Sequence, residues 1–270
     1  MNDTLKASYQ IFNGFPEIYD KTRPLCPNEV INIAKKYLKF PIERVVDLGS
    51  GTGLSSEIWI GHTKNIIGVE PDKQMLEFAE NKINSQSINY ILAFASKLPI
   101  EDQSVDLVFC AQSFHWMEPF STLKEINRVL KPGGLLMILD YDWPPVINWK
   151  VEKAFGKIVS QLSKIKKELL IKNTPMLSLN KKNYLKYLKN SGYFTYYRET
   201  VLQHSEKFDA HRFIAMTLSQ HSNQILLKKN MRVVNEYIKQ FEDIVTKQFD
   251  DKVLEANIGY HLRIGIKKTT

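Results

Sequence analysis

Residues 45–53, Val-Val-Asp-Leu-Gly-Ser-Gly-Thr-Gly, carry a β-branched run straight into a loop with glycine at every second position, and an acid, Glu70, closes the next apolar run. Glycine at 49, 51 and 53 lets the backbone pass close beneath a ligand where a Cβ would collide, and the amides of a following helix can face that ligand. Glu70 stands 21 positions beyond Gly49, close to the spacing at which α/β sheets bind a ribose. Its carboxylate can accept from the 2′- and 3′-hydroxyls together. The chemistry these residues suit is the holding of a nucleoside.

Glycine spacing separates the candidate nucleosides. The dinucleotide fingerprint G-x-G-x-x-G needs its third glycine where the helix packs on the strand, and Leu54 occupies that position. The pattern G-x-G-x-G instead resembles motif I of the class I S-adenosylmethionine methyltransferases, in which no pyrophosphate is accommodated. The resemblance implies S-adenosylmethionine as cofactor, with Asp47, Gly49, Ser50, Gly51, Gly53 and Glu70 in contact with it.

The elements that position these groups follow in order. Pro71 and Asp72 open a helix whose apolar Met75, Leu76, Ala79 and Ile83 recur at helical spacing, with Asp72 able to cap it. Strands are predicted at 88–94 and 104–110. Thr122 and Glu125 are spaced as a capping box, Leu123, Ile126, Val129 and Leu130 form an apolar face, and Lys-Pro-Gly-Gly at 131–134 is expected to end that helix before a strand at 135–139. Helices at 181–190, 213–218 and 231–249, a strand beginning near Phe194 and a closing strand at 258–266 complete the reading.

The order over residues 42–140 looks like the type 11 methyltransferase domain. This implies an α/β, Rossmann-like methyltransferase fold: a seven-stranded, mostly parallel sheet with an antiparallel last strand, plus an α-helical cap. In related enzymes a polar group at the position of Ser96 hydrogen-bonds the adenine amino group, and Pro71, Met75, Ala95 and Ala111 are expected in the same cofactor set.

Ala111-Gln112-Ser113-Phe114-His115-Trp116 and Tyr19-Asp-Lys-Thr-Arg23-Pro24 resemble segments of the trans-aconitate methyltransferase-like group, small-molecule O-methyltransferases that often act on carboxylates. Members commonly have a Tyr-Pro pair soon after the Arg-Pro, where this chain has Leu25-Cys26-Pro27. Ligands of open α/β sheets sit outside the carboxyl ends of the strands, so Gln112, His115 and Trp116 are expected at the sulfonium, with Trp116 or Phe114 as an aromatic wall.

His115 admits two roles, a substrate-facing donor or base and a structural ring bonded to a loop carbonyl. Arg23 is either an extended-chain residue with its head in water or a clamp for a carboxylate, that of the cofactor or of an acidic substrate, since guanidinium binds carboxylate through two parallel bonds. Tyr19, four residues earlier, shares that ligand if the segment is helical. His115 and Arg23 are the catalytic candidates, and Tyr19, His115, Trp116 and Trp143 the expected substrate contacts. A carboxylate nucleophile needs no general base, whereas a phenol, alcohol or amine would draw on His115. Cys110 reads as a buried strand residue, because no base is spaced to activate it.

With 270 residues, 43% of them hydrophobic and 24% charged, the chain can bury one large core. No apolar run approaches the ~20 residues that span a bilayer, and the first residues lack a charged-then-apolar signal pattern. Cys26 and Cys110 form neither a disulfide framework nor a metal-ligand spacing. A cytoplasmic setting, without membrane or metal, is the expectation.

The net charge of +8 invites nucleic acid, yet residues 150–190 hold eleven lysines against two glutamates, more than the whole surplus. That segment, with a helix predicted at 150–171, alternates lysines with apolar residues. It reads as a solvated helix face or as a device that steers an acidic substrate, and the lack of an Arg-rich tract or recognised RNA-binding module counts against RNA.

The expected organisation is an amino-terminal lid and first helix over 1–40, a cofactor-binding core over 41–142, a basic helical cap over 143–190, and the last strands of the sheet with a helical insertion over 191–270. The expected activity is methyl transfer to a small, acidic or polar metabolite by a monomer or homodimer, carboxylate O-methylation foremost. Three rivals stand beside it: a nucleic-acid methyltransferase, a nicotinamide enzyme, and a cofactor-binding regulatory protein without turnover.

Overall fold

The computed structural model describes residues 16–170, 179–220, 223, 226–227 and 231–269. Seven strands, β1 Arg44–Leu48, β2 Asn65–Glu70, β3 Ile88–Leu92, β4 Val105–Ala111, β5 Leu130–Tyr141, β6 Phe194–Phe208 and β7 Leu254–Lys267, form one sheet in the order β3-β2-β1-β4-β5-β7-β6. The first five are parallel, and β7 enters antiparallel between β5 and β6. The strand order reverses between β1 and β4, which opens a crevice at their carboxyl ends.

The described helices are α1 Pro16–Thr22, α2 Glu29–Tyr37, α3 Leu54–Glu57, α4 Lys73–Lys82, α5 Pro119–Val129, α6 Trp149–Leu170, α7 Tyr184–Ser191, α8 Ala210–Leu218 and α9 Arg232–Phe249. They cover both faces of the sheet, which is why β1 and β4 are nearly continuous apolar runs. Successive strand residues point to opposite faces, so Val45 joins the buried cluster that holds Ile31, Phe155 and Phe241, and Val46 the one that holds Leu123, Ile126 and Leu188. Each such side chain, fully buried, contributes roughly 1.5–3 kcal/mol.

The α/β class, the mostly parallel seven-stranded sheet and a long helix after β5 match the sequence reading; that helix, α6, buries Val151, Phe155 and Ile158 in the core. Asp72 caps α4 as expected, accepting from the Gln74 and Met75 amides at 2.9 and 3.1 Å. The capping box at Thr122 and Glu125 is not formed. Glu118 caps α5 instead, taking the Ser121 amide at 2.6 Å, and Pro119 occupies the first turn, where its missing N–H costs nothing. Thr122 is buried inside the helix, and Glu125 accepts from the Leu98 amide and pairs with Arg128. Lys131–Gly134 also departs from expectation, since it continues β5 across a register shift. The first fifteen residues of the predicted lid and the predicted helix end at Ile171 lie outside the described residues.

Candidate functional site

A cavity of about 1080 Å³, counting its open mouth, lies at the carboxyl ends of β2, β1, β4 and β5, where the antiparallel β7 adds Tyr260 from its amino-terminal half. The chain leaves β1 at Gly49, φ +75°, where a Cβ would lie 2.5 Å from the Ser113 Cβ. Ser113 packs this closely because its hydroxyl donates to the Leu48 carbonyl at 2.6 Å, locking the end of β4 onto β1. At Gly51, φ +54°, a Cβ would meet nothing within 4 Å. Gly51 lines the cavity, so a side chain there would stand in a ligand's space.

Glu70 faces this loop. Its Oε2 accepts from the Gly51 amide and its Oε1 from the Asp72 amide, both at 2.9 Å, so the carboxylate fastens the glycine loop to the turn after β2. Each oxygen keeps a further lone pair for a ribose hydroxyl. Burial raises its pKa to about 7 against the lowering effect of the two amides. Asp47, fully buried, serves the loop from behind. Its Oδ2 accepts from the Ser55 and Ser56 hydroxyls at 2.7 Å, holding α3 to the strand, and burial raises its pKa to about 6.

Across β1, Gln112 follows β4 with φ +53°, an uncommon conformation for a residue with a side chain. Its amide N–H donates to the Leu139 carbonyl at 2.8 Å. Trp116 lines the cavity, whereas Phe114 is buried against Tyr184 in an edge contact at 5.1 Å.

The helix α1 brings Tyr19 and Arg23 to the same wall, and the Arg23 amide donates to the Tyr19 carbonyl at 3.1 Å. The Arg23 guanidinium, 7% exposed, lies 4.5 Å from the ring of Tyr19 and 5.2 Å from that of Trp143. It donates to the Ser219 carbonyl at 3.0 Å and reaches the Tyr141 hydroxyl at 3.5 Å, and its Nε has no partner among the described residues.

The backbone beside Arg23 is held from three directions. Arg212 donates to the carbonyls of Thr22 and Arg23, Glu206 accepts from the Leu25 amide at 2.8 Å, and the Tyr260 hydroxyl donates to the Leu25 carbonyl at 2.6 Å. The Leu25-Cys26 departure from the family pattern therefore sits inside a clamp. Cys26 lines the cavity, and burial pushes its thiol pKa well up.

Of the residues assigned from sequence, Tyr19, Arg23, Gly49, Ser50, Gly51, Glu70, Pro71, Met75, Ala95, Ala111, Gln112 and Trp116 line the cavity, and Asp47, Gly53, Ser96, His115 and Trp143 do not. Gly53 instead leaves space for the Tyr90 hydroxyl and Ile83. Ser96 is exposed, and Ala93 and Ala95 supply the lining near it. Trp143 acts one layer back, against Arg23.

His115 packs on Trp116 with ring centroids 4.7 Å apart, and its Nδ1 lies 3.9 Å from Asp140 Oδ1. Asp140 is already held by Lys181 at 2.7 Å and Arg263 at 3.0 Å. Burial, and then the Lys181 charge, lowers the His115 pKa to about 3. The ring is thus neutral and a weak proton acceptor, and it makes no bond to a loop carbonyl either, since Nδ1 is buried without a hydrogen-bond partner among the described residues. Tyr141 and Tyr260 line the cavity without any sequence signal for it, because β7 reaches β5 only through the fold.

Residues 46–138 match a family model described as a methyltransferase domain. An uncharacterized methyltransferase-like protein of Schizosaccharomyces pombe is 35% identical over 143 residues, 52% of this chain and 55% of that protein. The chain spans about half the length of the curated relatives it matches. A solved structure named for a type II methyltransferase from Anaeromyxobacter dehalogenans aligns with a TM-score of 0.64 at 16% identity, over 92% of this chain and 99% of that one. Phosphoethanolamine N-methyltransferase 2 of Haemonchus contortus, in complex with phosphomonomethylethanolamine and S-adenosylhomocysteine, aligns at 0.52 and 18%, over 98% of this chain and 59% of that one. At these identities the structural likeness is one of fold. Among the described residues no helix is long and apolar enough to cross a membrane, and no group of three or more His, Cys, Asp or Glu could hold a metal.

Proposed function

We propose that this chain, which carries a class I S-adenosylmethionine-dependent methyltransferase domain, methylates a small, acidic or polar metabolite, with a carboxylate oxygen the foremost acceptor. The observation that carries this reading is a single cavity that joins a nucleoside cradle at Gly51 and Glu70 to a wall bearing Arg23. The cradle suits the adenosine half of the cofactor: Glu70 keeps acceptor positions for two ribose hydroxyls, and Ala93 and Ala95 leave apolar space beside it for a flat base.

S-Adenosylmethionine supplies an electrophilic methyl on a positively charged sulfur, so the chain's task is to align the acceptor and exclude water. Glu70 and Arg23 are the charged residues of the described lining. Arg23 stands by Tyr141 at the end of β5, three strands from Glu70 in the sheet order, which suits a guanidinium that holds an acid group of the acceptor. A carboxylate is already nucleophilic, in keeping with a described lining that contains neither histidine nor lysine.

The test is incubation with S-adenosylmethionine carrying a labelled methyl group and pooled cell metabolites, followed by mass spectrometry. A labelled ester of a small acid is the expected product. Label in total RNA but in no metabolite would favour nucleic-acid methylation, and cofactor binding without label in any pool would favour the regulatory reading.

A further inference from the structure

The amide of Gln112 has a definite orientation, and Lys181 sets it. A lysine ammonium only donates, so the Gln112 atom 3.0 Å from Lys181 Nζ is the carbonyl oxygen Oε1. Nε2 therefore faces away from Lys181, and it has no partner among the described residues. The lysine is itself fixed by Asp140 Oδ1 at 2.7 Å, and the second oxygen of Asp140 by Arg263 at 3.0 Å, with the Asp140 side chain 4% exposed. Next to Lys181, the Leu179 amide donates to the His115 carbonyl at 3.0 Å, so residues 179–181, just before α7, are tied twice to the loop after β4. Gln112 has little backbone freedom of its own, with φ +53° and its N–H bonded to Leu139.

We propose that Lys181 is a positioning residue, which turns the Gln112 amide so that its NH2 group, and not its carbonyl, is offered to the carboxylate of the cofactor's amino-acid half. This rests on the methyltransferase reading above. Gln112 lines the cavity at the end of β4, and Glu70 closes β2, so the two lie two strand spacings apart, about 10 Å. A ligand whose ribose sits at Glu70 spans that distance across the glycine loop with its amino-acid half. An amide turned the other way would present oxygen to an anion.

Binding of S-adenosylhomocysteine, and of 5′-methylthioadenosine, which lacks the amino-acid half, is measured by calorimetry for the wild-type chain, Lys181→Met, Gln112→Leu and the double variant. Each single variant is expected to weaken S-adenosylhomocysteine about tenfold and to leave methylthioadenosine within about twofold. The double variant is expected to be no weaker than Gln112→Leu, because the lysine acts through the amide. Unchanged affinity in Lys181→Met, equal losses for both ligands, or additive losses in the double variant would overturn the proposal, additivity meaning that the lysine acts by charge alone. If Lys181→Met does not fold, as judged by its melting curve, Lys181→Leu, which also lacks a donor, takes its place in the cycle. A wild-type chain that binds neither ligand would overturn the methyltransferase reading and this inference together, whereas wild-type binding with unaffected variants removes only the role of Lys181.

Discussion

Gly51 donates its backbone N–H to Glu70 Oε2 at 2.9 Å, so the acid at the end of β2 holds the glycine loop in the shape that meets a ligand. Glu70→Ala removes both this tie and, on the proposed reading, the acceptor for ribose. A bond to a charged group is worth roughly 1.5–3 kcal/mol, so S-adenosylhomocysteine is expected to bind about ten- to a hundredfold more weakly. Calorimetry reads the loss, and an unchanged dissociation constant would remove Glu70 from the cofactor site. The melting temperature is expected to fall as well, because the Gly51 and Asp72 amides lose their acceptor.

Acidity should alter the ligand-free chain in a definite direction. Burial raises Asp47 from 3.8 to about 6 and Glu70 from 4.5 to about 7. Both values are raised, so between about pH 4 and 7 the folded chain binds protons that the unfolded chain has released, and the stability these groups contribute falls as pH rises through that window. Glu70→Gln is expected to flatten the part of the slope between 4.5 and 7 in denaturant titrations. On the proposed reading ribose hydroxyls donate to the ionised carboxylate, so S-adenosylhomocysteine should release a proton on binding at pH 6, visible as a heat that depends on the buffer's ionisation enthalpy.

Two glycines of one loop should fail differently. Gly51→Ala places a Cβ in open cavity, at a backbone cost of roughly 1–2 kcal/mol, so ligand affinity drops more than stability does. Gly53→Ala brings a Cβ to 2.4 Å from the Tyr90 hydroxyl at φ +84°, so stability drops more than affinity. Thermal melts and calorimetry on the two variants separate the cases, and the reverse ranking would contradict the geometry.

Arg23→Ala should raise the KM of an acidic acceptor at least tenfold while changing the dissociation constant of S-adenosylhomocysteine less than about threefold. A loss of cofactor affinity with an unchanged acceptor KM would move the guanidinium to the cofactor's carboxylate.

His115→Gln should leave the shape of the pH–rate profile between pH 6 and 8 unaltered, since burial keeps the ring neutral down to about pH 3. Disappearance of an ionisation from that range would return His115 to the role of a base.

The edge of the cavity at the ends of β1, β2 and β4 was legible in the sequence because each of its parts is a strand and the turn that follows it. Gly49, Gly51, Glu70 and Gln112 each lie at such a junction, and local pattern is enough to find them. Pattern does not reveal which way a side chain points. Gly53 and Ser96 belong to the right turns but face Tyr90 and solvent, and Asp47 supports the loop from the core. Tyr141, Tyr260 and the Asp140–Arg263 pair come together only because β7 enters beside β5, a pairing of residues more than a hundred positions apart. At α5 a matching Thr-x-x-Glu outweighed the stronger local signal, a carboxylate followed by proline at the true start of the helix.

The antiparallel entry of β7 has a consequence for how such a chain changes over generations. Residues 46–138, the stretch that matches the domain family, supply the glycine loop, Glu70 and the end of β4, whereas Arg23, Cys26, Tyr141 and Tyr260 are drawn in from either flank. On the proposed reading, the grip on the methyl source is inherited as one uninterrupted block, and the wall that meets the recipient is pieced together from outlying segments. Descendants can therefore exchange one recipient for another by altering the flanks, with the block between them left as it was.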